Sequence, residues 1–153
     1  MSRDHYVDRP VPEVGFHLVH RRYVHHGEAH YAGGLASGAY VVGLFNDIAT
    51  DLCVQLDNDE GLFASYSEIN FLAPLHAGDV MEVSVEVVRV GSRSRTLRFA
   101  AHVISRADPA SGVTASRALA EPLPVTSAMG TVVVPTAHPN SQLETTGGER
   151  VRH

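Results

Sequence analysis

Apolar and polar positions alternate over residues 16–24, with Phe16, Leu18, His20 and Arg22 on one side and His17, Val19, Arg21 and Tyr23 on the other. A period of two predicts a strand. Residues 25–34 read as a loop. From Leu35 to about Leu56 the chain is apolar on nearly every side, through Leu35, Ala39, Val41, Val42, Leu44, Phe45, Ile48, Leu52 and Val54. A run of about 20 residues makes a helix ~30 Å long, and its all-round apolarity predicts burial. An acidic turn over residues 57–61 leads into three strand patterns. The first, over 62–72, is ended by Pro74. The second, over 79–90, turns Met81, Val83, Val85 and Val87 to one face and Glu82, Ser84 and Glu86 to the other. Gly91-Ser92 is expected to be a two-residue hairpin turn. The third strand, over 95–104, points Leu97, Phe99, Ala101 and Val103 inward and Arg98 outward, towards a cross-strand carboxylate. Residues 107–112 form a loop. One or two further strands are expected over 113–134, interrupted by Pro122 and Pro124. The composite is an α+β domain over residues 16–136, an antiparallel sheet wrapped around one long central helix. Residues 1–15 read as an N-terminal leader with little structure, and residues 137–153, polar and glycine-containing, as a flexible tail. No internal repeat is visible.

Composition narrows the classes. A chain of 153 residues, 44% hydrophobic and 19% charged, fits one compact domain with its own core. The formal net charge of -5 argues against nucleic-acid binding, which calls for a basic face. The single cysteine, Cys53, excludes an internal disulfide framework and fits a reducing cytoplasm. Its apolar surroundings predict a buried structural thiol rather than a nucleophile. No apolar stretch approaches the ~20 residues that cross a bilayer, and the N-terminus lacks a signal-peptide core. Cytoplasmic localisation is therefore expected, without a membrane partner.

The candidate chemistry concentrates in residues 28–38, Glu-Ala-His-Tyr-Ala-Gly-Gly-Leu-Ala-Ser-Gly. Glu28 and His30 form an acid/base pair two residues apart, next to glycines that open the helix. A polar loop with a surface Glu and His is the bland alternative in a chain with ten histidines. Gly33, Gly34 and Gly38 permit close backbone approach to a ligand, and a helix N-terminus favours a developing oxyanion. Backbone N–H groups around Gly33, Gly34 and Leu35 are the expected donors, with Tyr31 beside them. Asp47 and Asp51 stand one turn apart towards the C-terminal half of the helix, where the dipole and burial both oppose a carboxylate. Either they pair with a cation or backbone donor of the sheet, or Asp47 serves catalysis. Tyr66, Glu68 and Asn70 alternate onto one strand face, opposite Phe63, Ile69 and Phe71. This polar stripe lines a groove or faces water, and alternation leaves both open. Arg93 and Arg95 make the hairpin basic and suit phosphate contact, although solvated arginines are the commoner outcome at a turn. Residues 57–61 place their glycine one position too early for an EF-hand loop, and no P-loop, dinucleotide fingerprint or nucleophile elbow is present. His25, His26 and His30 fix no ligand geometry, so no metal is expected.

Five blocks carry a family resemblance: residues 28–35 (Glu-Ala-His-Tyr-Ala-Gly-Gly-Leu), 43–52 (Gly-Leu-Phe-Asn-Asp-Ile-Ala-Thr-Asp-Leu), 59–63 (Asp-Glu-Gly-Leu-Phe), 71–74 (Phe-Leu-Ala-Pro) and 77–79 (Ala-Gly-Asp). Together they closely resemble the 3-aminobutyryl-CoA and beta-alanyl-CoA ammonia-lyases, over roughly residues 23–104. The resemblance implies the hotdog fold and reversible elimination of ammonia from a 3-aminoacyl thioester. The element His30-Tyr-Ala-Gly33 with Gly38 is more loosely similar to that of the beta-hydroxyacyl-carrier-protein dehydratases, which expel water in the same kind of beta-elimination. Three departures stand out. The family's Asp-Ala-His begins here with Glu28, its Gly-Asn or Gly-Gly-Asn before Leu becomes Gly33-Gly34, and Asn70 stands where the lyases carry Glu.

On this reading Glu28 or His30 removes the alpha proton and the other serves the departing amine, with Asp47 as a second anionic neighbour for a substrate ammonium. No metal or redox cofactor is implied, and coenzyme A enters only as part of the substrate. An acyl-carrier-protein thioester is the other carrier. A hotdog sheet leaves its thioester groove incomplete in one chain, so a homo-oligomer, at least a dimer, is expected. A hotdog acyl-CoA thioesterase and an enoyl-CoA hydratase/dehydratase are the alternative enzymes. A non-catalytic acyl-thioester sensor is the alternative from another class, and normally carries an output element that this chain does not show.

Overall fold

A computed structural model describes Ser2, residues 5–8 and residues 10–135. The expected tail over 137–153 lies outside the described residues. Residues 10–15 contain no helix or strand, and Gly15 N–H donates to the Val87 carbonyl at 2.8 Å. The strand β1 (His17–Tyr23) follows, then 3-10 turns at His26–Glu28 and Ala32–Gly34, the helix α1 (Gly38–Asp57), and the strands β2 (Leu62–Phe71), β3 (Val80–Val90), β4 (Ser94–Ala107) and β5 (Ser116–Val133). The five strands form one sheet in the order β1-β3-β4-β5-β2, antiparallel throughout. The sheet wraps the helix, as the alternation of its strands predicts.

The core lies between the helix and the inner sheet face. Val41, Phe45, Ile48, Ala49, Leu52, Cys53 and Leu56 recur at helical spacing and are buried. They meet Met81, Val83, Val85 and Val87 of β3 and Leu97, Phe99, Ala101 and Val103 of β4. Phe45 stacks on Phe99 with ring centroids 5.0 Å apart, both fully buried. Each such ring contributes about 1.5–3 kcal/mol by leaving water.

The helix differs from expectation in two ways. It begins at Gly38, not Leu35, because Ser37 supplies the N-cap: its Oγ accepts from Tyr40 N–H at 3.2 Å. It also has an outer side, where Gly43, Asn46, Asp47, Val54 and Gln55 are exposed. The apolar average over the run concealed this polar stripe. The helix closes on Asn58 in the left-handed conformation, whose N–H reaches the Val54 carbonyl.

β5 is a single strand running through Pro122 and Pro124. β2 covers only Thr126–Val133, so both prolines lie where β5 has β4 as its one neighbour and the missing N–H groups are tolerated. At the β3–β4 hairpin Gly91 N–H donates to the Ser94 carbonyl, which centres the reversal on Ser92-Arg93, one residue beyond Gly91-Ser92.

Arg95 does not reach solvent and is no phosphate ligand. It shares the inward parity of Leu97 and Phe99 and is 6% exposed. Its Nη2 and Nε donate to Asp57 Oδ1 and Oδ2 at 2.7 and 3.2 Å, while Nη1 donates to the Gly91 and Ser94 carbonyls. The pair ties the helix C-terminus to the hairpin.

Burial, followed by the Asp57 carboxylate, pushes the Cys53 thiol up to about 11. At pH 8 the native thiol is then protonated as well as enclosed, and iodoacetamide is expected to leave it intact until the protein is unfolded. Mass spectrometry of alkylated samples checks this, and native alkylation at the rate of a free thiol contradicts it. Among the described residues no helix is long and apolar enough to cross a membrane.

Candidate active site

The loop between β1 and α1 is held by backbone hydrogen bonds together with the buried Val24 side chain. Val24 N–H donates to the Asp79 carbonyl and Gly78 N–H to the Val24 carbonyl, both at 2.8 Å, so the end of β1 is zipped to the turn at 76–79. Ala77 N–H then reaches the Gly34 carbonyl at 2.9 Å, Ala36 N–H reaches the Leu75 carbonyl at 2.9 Å, and Leu35 bridges to His76. Gly33 and Gly34 have φ of 75° and 71°, a conformation that glycine adopts without strain. The turn receiving these bonds is locked by Asp79, which is fully buried. Its Oδ1 and Oδ2 accept from Arg106 Nε and Nη2 at 2.9 Å each, and Oδ2 also accepts from His76 N–H at 2.8 Å. The same hydrogen bonds raise the Arg106 pKa. The Ala-Gly-Asp block at 77–79 is therefore a clamp for the loop.

Glu28 and His30 come together on this loop. Glu28 N–H donates to the His25 carbonyl and His30 N–H to the Glu28 carbonyl, both at 3.0 Å. Glu28 Oε2 stands 4.0 Å from His30 Nε2, with side chains 37% and 66% exposed. That spacing exceeds a hydrogen bond and leaves both groups open to a substrate. Glu28 also raises the pKa of Tyr40 in the first helical turn, second to burial and opposed by Arg22. Arg22 is an inward residue of β1.

A cleft of about 580 Å³ opens at the start of α1; Tyr31, the residue after His30, lines it, while Glu28 and His30 do not. Tyr31, Ser37, Gly38 and Ala39 line one side, and Phe71, Leu72, Pro74 and Thr126 the other. The N–H groups of a first helical turn have no intrahelical acceptor. Tyr40 N–H is capped by Ser37, which leaves those of Gly38 and Ala39 at the cleft. Gly33, Gly34 and Leu35, the expected donors, precede the helix and do not line this cleft, whereas Gly38 and Ala39 do. The Phe71 ring lies so close over Gly38 that a Cβ would collide with it, so Gly38 lets an aromatic wall approach the helix end.

The remaining candidates are elsewhere. Asp47 is exposed on the outer helix side, nine residues past Gly38 and about 14 Å along the axis. One chain does not bring it to Glu28. Tyr66 does not share a face with Glu68 and Asn70. Register shifts between Phe63 and Ser65 and between Tyr66 and Glu68 change the inward period from two to three. Phe63, Tyr66 and Ile69 consequently face inward together. Tyr66 stacks on Phe63 at 4.3 Å and donates to Asn46 Oδ1 at 2.6 Å, and burial pushes its hydroxyl up to about 12. Asn70 Nδ2 donates to Glu68 Oε2 and Ser127 Oγ, each at 3.4 Å, on the exposed side. Arg93 is exposed at the hairpin tip.

Asp51 pairs with His20 at 2.7 Å and accepts from Gln55 at 3.0 Å; Gln55 and then His20 lower its pKa against the opposing effect of burial. The inward position of His20 in the β1 alternation was the signal for that pair. Ser37, just before the apolar run, was the signal for the true helix start. Among the described residues no cluster of three or more His, Cys, Asp or Glu side chains is arranged to hold a metal ion.

Comparison with known proteins agrees with this fold. Residues 33–110 match the family described as the thioesterase superfamily. The chain is 42% identical over 110 residues to the 3-aminobutyryl-CoA ammonia lyase of Acetoanaerobium sticklandii, covering 71% of this chain and 86% of that protein. Its structure is similar to that of the beta-alanyl-CoA:ammonia lyase of Clostridium propionicum, with a TM-score of 0.75, 32% identity, and coverage of 80% of this chain and 87% of the other. A hexameric hotdog fold thioesterase of Campylobacter jejuni shares the fold at a TM-score of 0.60 and 20% identity, covering 76% of this chain and 81% of its own. The chain belongs to the hotdog thioesterase superfamily and, within it, to the family of the 3-aminobutyryl-CoA and beta-alanyl-CoA ammonia lyases.

Proposed function

We propose that this protein catalyses the reversible elimination of ammonia from a 3-aminoacyl-CoA, with 3-aminobutyryl-CoA and crotonyl-CoA as the pair of first choice. The carrying observation is the placement of Glu28 and His30, 4.0 Å apart on a clamped loop whose next residue, Tyr31, lines a cleft that ends at the first turn of α1. The thioester acidifies its alpha C–H. Glu28 takes that proton, and the N–H groups of Gly38 and Ala39 hold the enolate oxygen. The enolate electrons then form the alpha–beta double bond as the C–N bond breaks. Its electron pair leaves with nitrogen, so an ammonium substituent departs as neutral ammonia. His30 carries the proton from Glu28 to the ammonia, which restores the base and yields ammonium. These steps use acid/base and backbone groups alone and draw on no metal or redox cofactor.

Assembly completes the site. β2 is an edge strand of ten residues flanked by exposed Leu62, Phe71 and Leu72, an open ladder that folded proteins cover. A second copy closing along this edge is the arrangement in which Asp47 of one chain and Glu28 of the other serve one substrate. Arg93 remains the candidate contact for a coenzyme A phosphate. Incubation with 3-aminobutyryl-CoA tests the reaction. The expected result is enoyl-thioester absorbance rising in step with released ammonia, and free thiol in place of both would assign a thioesterase instead.

A further inference from the structure

The polar lining of the cleft contains one group that the elimination steps leave unused. Thr126 lies on β5, opposite Phe71 of β2 and Ala101 of β4, and lines the cleft. It is 3% exposed, and among the described residues its hydroxyl makes no hydrogen bond. A buried hydroxyl is normally paired. The other polar side chains of the lining do not share this condition. Ser37 Oγ is occupied by Tyr40 N–H, and Tyr31 is 62% exposed. Val41 and Leu75 make the neighbouring lining apolar. A substituent on the acyl chain that carries N–H therefore meets one buried acceptor.

Resting on the ammonia-lyase reading above, we propose that Thr126 is the subsite for the 3-amino group and orients ammonia as the nucleophile and leaving group. The thioester oxygen sits at the Gly38 and Ala39 amides, and the amino nitrogen is carried on the second carbon beyond the carbonyl, towards Thr126. Thr126 Oγ1 accepts one N–H of the amino group. In the addition direction this bond turns the nitrogen lone pair towards the beta carbon. Thr126 Oγ1 is a neutral acceptor, so it orients the amino group without adding a further charge to the site.

Kinetics of ammonium addition to crotonyl-CoA by the full chain and its Thr126→Val and Thr126→Ser variants test this. Valine keeps the shape and branching of threonine and suits a strand, and serine keeps the hydroxyl. Thr126→Val is expected to raise the KM for ammonium by roughly twofold to tenfold, the effect of losing one hydrogen bond to a neutral amine. Thr126→Ser is expected to restore most of that loss. Butyryl-CoA, which lacks the amino group, is expected to bind Thr126→Val as it binds the unaltered protein. An unchanged ammonium KM, or an equal loss of butyryl-CoA binding, would overturn the assignment while the lyase reading stands. Failure of the unaltered protein to add ammonia would instead remove the lyase reading and the Thr126 proposal with it.

Discussion

Glu28→Gln and His30→Ala are each expected to lower kcat/KM for ammonia elimination by about a hundredfold to ten-thousandfold, the range for loss of a positioned acid or base. Both side chains are partly or largely exposed, and neither joins the core. The melting temperature is therefore expected to stay close to that of the unaltered protein, since surface changes away from caps and ion pairs move stability by about 0.5 kcal/mol or less. This combination separates catalysis from folding. Glu28 is expected to be the more severe loss, because it takes the alpha proton while His30 relays it. Steady-state kinetics with 3-aminobutyryl-CoA and a thermal melt on the same preparations check both halves. Near-normal turnover in both variants would mean that the pair is the polar surface loop that composition alone allows.

Asp79→Ala is expected to be the most damaging change to stability. It removes a fully buried carboxylate that serves Arg106 through two hydrogen bonds and His76 N–H through a third. Breaking a buried pair leaves the partner charge uncompensated and costs about 3–5 kcal/mol. Arg106 is 29% exposed and regains some hydration, which favours the lower end, about 3 kcal/mol. For a domain of this size that lowers the melting temperature by roughly 10 °C. The loss should also reach the loop, because the segment that Asp79 fixes is bonded to it, Ala77 N–H donating to the Gly34 carbonyl and the Leu75 carbonyl accepting from Ala36 N–H. Replacing Arg106 by Leu together with Asp79→Ala should recover part of the stability by removing the orphaned charge. A single-variant melt within about 2 °C of the unaltered protein would show that the turn holds without its carboxylate.

The strands were legible wherever the inward period stayed at two. Leu18, His20 and Arg22 in β1, Met81 to Val87 in β3, and Leu97 to Val103 in β4 all face the helix as their alternation predicts. The same rule applied two residues earlier would have placed Arg95 inside, with Leu97, rather than on a coenzyme phosphate. β2 was not legible in this way. Its two bulges stretch the period to three, so that Tyr66 joins Phe63 and Ile69 and leaves Glu68 and Asn70 behind. Alternation carries no mark of a bulge before the partner strand is known.

The helix was legible in existence and length, and less so at its start. The paired glycines drew the boundary to Leu35, whereas a capping hydroxyl at Ser37 decides it. The consequence is that the first-turn N–H groups are those of Gly38 and Ala39, which line the cleft. Glu28 and His30 were legible because neighbours in sequence on a short loop stay neighbours in space. The exposed position of Asp47 and the inward one of Thr126 were not, for different reasons. The apolar mean of the helix hid an outer face for Asp47. The prolines at 122 and 124 obscured the parity that turns Thr126 inward.

Product partition from a single mixture of crotonyl-CoA and 15N-labelled ammonium, followed by mass spectrometry, tests the lyase chemistry most directly. The predicted result is a 3-aminobutyryl-CoA carrying the heavy nitrogen, formed in excess over hydrated product and free coenzyme A and abolished by Glu28→Gln. A mixture that yields only 3-hydroxybutyryl-CoA or free coenzyme A, with no heavy nitrogen incorporated, would contradict it.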